Sequence, residues 1–269
     1  MSQWRRYALR AGLSAMVLSL LGLSAFLPAV AQNRAPSPVI IELFTAEGCS
    51  SCPPADAFLR QLDVSQPIPG AQLIVLSEHV NYWDQGGWPD PYSSDSLTNR
   101  QRAYVHSLRL SEAYTPQFIV DGSTEMRLTN RQQIPQILQQ AAAAYKIAVE
   151  IGALSVQANS PAEVSGHADI DGGAEAQKSD VYVGIALDHV ESKVLRGENR
   201  GQTLTHVAVV RDLVKIGTLS PGQHLSPDFR VPLKPATDPA NLRVIVFVQE
   251  SGSRKIVGAA LRRTADQRG

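Results

Sequence analysis

The clearest pattern along the chain is a change in hydrophobic period about half-way. Val39-Ile40-Ile41-Glu42-Leu43-Phe44 is a short apolar run rich in β-branched residues, which predicts a buried strand. After Thr45-Ala46-Glu47-Gly48, the segment Ala55 to Leu62 places Phe58, Leu59 and Leu62 on one helical face, and Pro53 and Pro54 are tolerated in a first turn. That helix must end before Pro67-Ile68-Pro69-Gly70; Leu73 to Ser77 then reads as a second buried strand, parallel to the first across its crossover. A long polar and aromatic stretch, His79 to Ser94, leads to a helix over about 96–110 with Leu97, Tyr104 and Leu108 inward. Thr115-Pro116 precedes the strand Gln117 to Val120, and Asp121-Gly122 predicts a hairpin whose partner lies near Glu125 to Leu128. Thr129 or Asn130 can cap a third helix running to Ala144, with Pro135 awkward in its early turns.

From Tyr145 onward helical patterns vanish. Alternating stretches at Ala148–Ala158, Ala162–Ile170, Val181–Leu187, Thr203–Leu213, Arg230–Leu233, Leu242–Gln249 and Lys255–Leu261, broken by Gly, Pro and Asp-Gly, predict an antiparallel sandwich. The texture changes near residue 146. The expected organisation is a signal peptide over 1–31, a linker over 32–37, an α/β domain over 38–145 and an all-β sandwich-like domain over 146–265.

The leader is expected because Arg5, Arg6 and Arg10 precede an apolar run from Ala11 to Val30 that closes on Ala29-Val30-Ala31. Cleavage after Ala31 implies a periplasmic or secreted protein; an uncleaved leader would instead anchor it to the membrane. The whole chain carries 25 Lys+Arg against 25 Asp+Glu, and three of the basic residues sit in the leader. A near-balanced mature chain offers no electrostatic case for nucleic acid.

Export changes the meaning of the cysteines. The chain has only two, Cys49 and Cys52, separated by two residues. A bridge between them closes too short a loop to restrict the unfolded chain much, so chemistry explains it better than stapling. A thiol at a helix N-terminus is stabilised as thiolate by the helix dipole and free backbone N–H groups, which makes Cys49 the expected nucleophile and Cys52 the resolving thiol. A purely structural bridge and half of a metal site are the alternatives. Zinc would need two further ligands, and His79, His106 or His206 could assemble only a mixed site.

The order strand, C-x-x-C, helix, strand, helix, X-Pro, strand, turn, strand, helix over 38–145 resembles the thioredoxin fold, so the expected fold class is an α/β thioredoxin-like domain followed by an all-β sandwich-like domain. More closely, Glu42-Leu43-Phe44-Thr45, Gly48-Cys49-Ser50-Ser51-Cys52-Pro53-Pro54-Ala55-Asp56, His79-Val80-Asn81-Tyr82-Trp83-Asp84, Gly87-Trp88-Pro89-Asp90-Pro91, Arg100-Gln101-Arg102-Ala103-Tyr104 and Tyr114-Thr115-Pro116-Gln117 resemble the exported domain-of-unknown-function 1223 family. Gly197-Glu198-Asn199-Arg200-Gly201, His206 and Arg211 extend that resemblance over nearly all the mature chain.

The thioredoxin resemblance implies that Pro116 is a cis-proline lying against the cysteine pair, with Thr115 tuning it; a trans proline opening a strand is the alternative. It also implies a buried acid beneath the resolving cysteine. Glu42 sits near that position, one residue further from Cys49 than the pattern requires, and could shuttle a proton or simply be salt-bridged. Tyr82, Trp83 and Trp88 could form a platform for a peptide or small apolar ligand with His79 or Asp84 as proton acceptor, or pack a long loop. The leading function is an exported thiol-disulfide oxidoreductase acting on protein or small-thiol substrates, with no cofactor. A non-enzymatic binding protein with a permanent disulfide, and a copper-handling protein using both thiols and a histidine, are the competing readings.

Overall fold

The computed structural model describes residues 35–158, 161–174, 176–234 and 237–267, so the expected leader lies outside the described residues. Strand β1 (Ser37–Thr45), helix α1 (Pro53–Ser65) and strand β2 (Ala71–His79) form the predicted β-α-β unit, with β1 and β2 parallel from Ser37↔Ala71 to Thr45↔His79. Helix α2 (Asp95–Ser107) begins where Ser94 Oγ accepts a hydrogen bond from the Leu97 N–H at 3.3 Å. Strand β3 (Gln117–Val120) runs antiparallel to β1, and Asp121-Gly122, both at positive φ, turn it into β4 (Thr124–Met126). Helix α3 (Ile134–Ala143) starts later than the sequence predicts. Pro135 is confined to its first turn, and Leu128–Gln133 form a 3-10 segment instead.

The second half overturns the expected fold class. Its strands are β5 (Ala148–Ile151), β6 (Ser155–Gln157), β7 (Glu163–Asp171), β8 (Ser179–Lys193), β9 (Thr203–Leu219), β10 (His224–Leu225), β11 (Asp228–Pro232), β12 (Leu242–Glu250) and β13 (Ile256–Arg263). Four of them join the first-half strands in one mixed eight-stranded sheet of order β13-β12-β8-β9-β2-β1-β3-β4. The seam is β2 against β9, parallel at Ser77↔Val209. The remaining strands make a five-stranded sheet around β7. The protein is therefore mostly β and is not a thioredoxin-like α/β domain followed by a sandwich; residues Ala35–Gly269 form one compact unit.

The physical reason lies in β9, which is 17 residues long where alternation predicted a strand ending at Leu213. Its Val207 and Ala208 bury with Leu43, Val75, Leu59 and Leu62 on the α1 face, while Val210 joins Ile40, Ile74, Leu76 and Ile245 on the α2 face. Pairing with β9 at Ser77↔Val209 joins the two halves of the chain and extends the core across β2. The smaller sheet contributes Val164, Ala168 and Ile170 to a core shared with Val183, Ile185 and Val246 of the large sheet.

Candidate functional site

The loop from β1 into α1 carries the cysteines. Cys49 and Cys52 form a disulfide, and both are fully buried, whereas Ser50 and Ser51 between them are exposed. The helix starts at Pro53, so Cys52 occupies the N-cap position and Cys49 lies in the turn before it. The Cys52 carbonyl accepts from the Ala55 and Asp56 N–H groups at 2.8 and 3.0 Å, and Cys49 Sγ lies 3.4 Å from Ser51 Oγ.

Two further segments close on this loop. The Thr115-Pro116 bond is cis. Thr115 Oγ1 accepts from Trp83 Nε1 at 2.7 Å, and a Cβ on Gly48 would meet the Cβ and backbone oxygen of Trp83 at 3.4 Å, so Trp83 lies against Gly48 through its backbone side and reaches Thr115 through its indole. Tyr82 donates to Gln101 Oε1 at 3.2 Å, and Trp88 Nε1 donates to Glu47 Oε2 at 2.7 Å. The three aromatic residues thus brace three different partners rather than forming one platform.

The β8–β9 connection supplies the other cover. Asn199, 1% exposed, donates through Nδ2 to the carbonyls of both Glu47 and Cys49 at 2.9 Å, while Glu198 Oε2 accepts from the Ser50 N–H at 3.0 Å. Gly197 and Gly201 stand at positive φ at the two ends of this clasp, which lets the chain turn tightly between two long strands.

Next to the clasp is a buried polar cluster. His79 Nδ1 bonds Asp90 Oδ2 at 2.7 Å, and Asp90 Oδ2 also accepts from the Glu47 N–H at 2.8 Å. Burial alone would raise the Asp90 pKa, but the His79 ring and the backbone N–H groups of Glu47 and Tyr92 outweigh it and hold the carboxyl below its usual range. His206 lies with Nε2 3.6 Å from Glu47 Oε1 and Nδ1 3.7 Å from Asp56 Oδ1, and its ring meets that of His79 edge to face at 4.8 Å. Burial disfavours its charge, yet Asp56 and Glu47 prevail and push its pKa up to about 9. Glu47 Oε1, Asp56 Oδ1, His79 Nε2 and both nitrogens of His206 are buried without a hydrogen-bond partner.

Glu42 belongs to a different cluster on the α2 face. Its carboxylate accepts from Arg100 Nε and from the Tyr104 hydroxyl, each at 2.6 Å, and Arg100 also bonds Gln249 of β12 at 3.1 Å. Glu78 stands beside them, its carboxyl raised well above the ordinary value by burial and then by Glu42. Of the residues singled out from sequence, Cys49 and Cys52 share a buried cluster against which Trp83 packs, and Trp83 in turn bonds Thr115, the residue before Pro116; His79 and Trp88 join the neighbouring polar cluster, and Glu42 sits with Arg100. Glu47, Asp56, Asp90, Glu198 and Asn199 are not among the residues singled out as site residues, and His206 entered only as a possible ligand of a mixed metal site. Their one sequence signal is polar side chains inside or flanking motifs that already mattered, above all the glycine-bracketed Glu198-Asn199.

These features define a mostly β protein whose disulfide sits beneath a clasp contributed from the far end of the chain. The family described as protein of unknown function DUF1223 matches residues 40–249, and the chain belongs to that family. No curated protein matches the chain. The crystal structure of protein AGR_C_4864 from Agrobacterium tumefaciens is similar at 24% identity, covering 86% of this chain and 96% of that one, with a TM-score of 0.64. HBP35 of Porphyromonas gingivalis is similar at 14% identity, covering 86% of this chain and 76% of that one, with a TM-score of 0.62. At these identities the likeness shows the shared fold.

Proposed function

We propose that the chain is an exported thiol-disulfide oxidoreductase that exchanges its Cys49–Cys52 bridge with a protein or small-molecule thiol or disulfide. The observation that carries this reading is the bridge itself, between residues three apart at the head of α1, with Trp83 packed against its cluster and bonded to Thr115. Closing so small a loop restrains the unfolded chain by about 2 kcal/mol, against nearly 5 kcal/mol for a loop of ~100 residues. The fold already owns an extensive core, so a staple adds little where chemistry adds a function. The position at a helix N-terminus favours a thiolate once the bridge opens. Export rests on the Arg5 to Ala31 leader and supplies the oxidising space in which such a pair works.

Full burial of both sulfurs favours a second reading, a permanently oxidised bridge in a binding protein. Trapping separates the two. Under the first reading, the Cys52→Ser variant accumulates a mixed disulfide through Cys49 when offered an oxidised protein such as insulin, and Cys49→Ser abolishes dithiol-driven reduction of that substrate. Turnover retained by Cys49→Ser, or no mixed disulfide with Cys52→Ser, would rule the oxidoreductase out.

A further inference from the structure

His206 pairs with Val190 in the β8–β9 ladder through its backbone, but its buried side chain has no hydrogen bond of its own. His206 is 1% exposed, and both its ring nitrogens lack a hydrogen-bond partner. It spans the two ends of the cysteine segment. On one side is Glu47, two residues before Cys49, whose carbonyl shares the Asn199 Nδ2 donor with the Cys49 carbonyl. On the other is Asp56, one helical turn after Cys52, whose N–H bonds the Cys52 carbonyl at 3.0 Å. We propose that His206 is a positioning residue for the Cys49–Cys52 couple, its imidazolium charge stabilising the thiolate that forms when the bridge opens. This deepens the oxidoreductase reading and rests on it.

Every charged or titratable neighbour on the elements around His206 bears on the argument. Glu47 comes from the β1–α1 loop and Asp56 from α1; His79 at the end of β2 carries Asp90 behind it. Tyr92 meets His79 edge-on at 5.4 Å with Arg211 stacked 5.3 Å over it, and Arg60 of α1 bonds the Thr205 carbonyl at 3.3 Å. The carboxylates of Glu47, Asp56 and Asp90 outnumber the histidines, so the cluster retains a proton on His206 while the bridge is closed, consistent with its pKa of about 9. A cation near a cysteine pair lowers the thiol pKa and makes the reduced state easier to reach.

The step balances with an external dithiol as reductant. One of its thiolates attacks Cys49 Sγ, the S–S bond breaks, and the electron pair leaves on Cys52 Sγ as thiolate. The second thiolate of the reductant then attacks its own sulfur in the mixed disulfide and releases Cys49 as thiolate. The dithiol is oxidised to a disulfide, the protein bridge is reduced, and the two protons lost by the dithiol pass to solvent or to the cysteines.

The test is the redox equilibrium of the full chain with dithiothreitol from pH 7 to 10.5, wild type against His206→Gln. The expected result is an equilibrium up to about tenfold less favourable to the reduced variant near pH 8, equivalent to about 30 mV for two electrons, with the gap narrowing above pH 9 as wild-type His206 loses its proton. A gap of constant size, no gap, or a pair that excess dithiothreitol cannot reduce overturns the proposal. Glu47→Gln keeps an oxygen for Trp88 and leaves His206 in place. It should lower the His206 titration seen by NMR and shift the closing of the gap to the same lower pH; a closing that stays put also overturns it. Normal chemical reduction with this pH signature but no mixed disulfide on substrates would sink the oxidoreductase reading alone. Substrate exchange without the pH signature would sink the His206 role alone.

Discussion

Asn199 is the most informative single residue to remove, because one amide nitrogen serves two buried carbonyls, those of Glu47 and Cys49, at 2.9 Å each. A net hydrogen bond is worth about 0.5–1.5 kcal/mol, and a buried carbonyl left without a donor costs about 1–3 kcal/mol. Asn199→Ala should therefore destabilise the fold by about 2–4 kcal/mol, partial relaxation of the loop keeping the sum from its upper limit. For a chain of this size Tm falls by about 2–4 °C per kcal/mol, giving a drop of roughly 5–15 °C in thermal unfolding followed by circular dichroism. Asn199→Asp is the sharper variant. It keeps the shape but turns only acceptors toward two carbonyl oxygens, so at pH 7 it should be at least as damaging as alanine, and protonation of the new carboxyl should return part of the loss. The same clasp covers the bridge through Glu198, so both variants should speed reduction of the Cys49–Cys52 bond by dithiothreitol under native conditions. A loss below about 0.5 kcal/mol for alanine, or an aspartate milder than alanine, would refute the reasoning.

Gly122→Ala should cost about 2 kcal/mol or more in urea unfolding, since its φ is +61° and the added Cβ would lie 2.1 Å from the Arg254 carbonyl oxygen. Arg100→Met should cost about 3–5 kcal/mol by the same measurement, because Glu42 and Glu78 would share a buried site without their cation, and the loss should shrink at low pH where both carboxyls hold protons. The folded-state pKa of His206 lies above its ordinary 6.5, at about 9, so the stability from its pairing with Glu47 and Asp56 is fully present below about pH 6.5 and is lost as pH rises to 9. His206→Gln should flatten the stability–pH curve in that window; an unchanged slope would contradict the pairing. Asp90 behaves in the opposite sense. Its depressed pKa gives stability that is present above the usual carboxylate range and lost on acidification, so Asp90→Asn should reduce the acid-induced slope below pH 4.

Local features of the fold were legible in the sequence where a local force decides them. The β1-α1-β2 unit and the Asp121-Gly122 hairpin follow from period, proline placement and turn chemistry, whereas α2, expected over about 96–110, spans Asp95–Ser107 behind a Ser94 cap that periodicity alone does not mark. The start of α3 moved because Pro135 tolerates only a first turn. What the sequence could not reveal was which strand covers β2. Alternation in Thr203 to Leu213 says that this strand has two faces, but not that Val207-Ala208 belong with α1 while Val210 belongs with α2; pairing between distant strands leaves no local mark. The reading of a self-contained thioredoxin-like half followed by a sandwich failed at that seam.

The site divides in the same way. Cys49, Cys52, Thr115 and Pro116 announce themselves through spacing and residue type, and the structure bridges the two cysteines and links Thr115 to them through Trp83. Asn199 and His206 reach the site only through the β8–β9 hairpin and the β2–β9 seam, so missing that seam meant missing them. Glu42 was ambiguous for a related reason: its strand position fixes the face it occupies, whereas its partners Arg100 and Tyr104 come from α2 and are themselves bonded by Gln249 of β12.

The reduction potential of the Cys49–Cys52 pair in the intact protein, measured against dithiothreitol or glutathione at pH 7, tests the oxidoreductase reading most directly. Structural bridges in secreted proteins lie below about −300 mV, and exchanging pairs lie above it. The account predicts a value above that limit, whereas a value well below it, with no mixed disulfide formed by Cys52→Ser, would mean that the bridge is a fixed part of the fold.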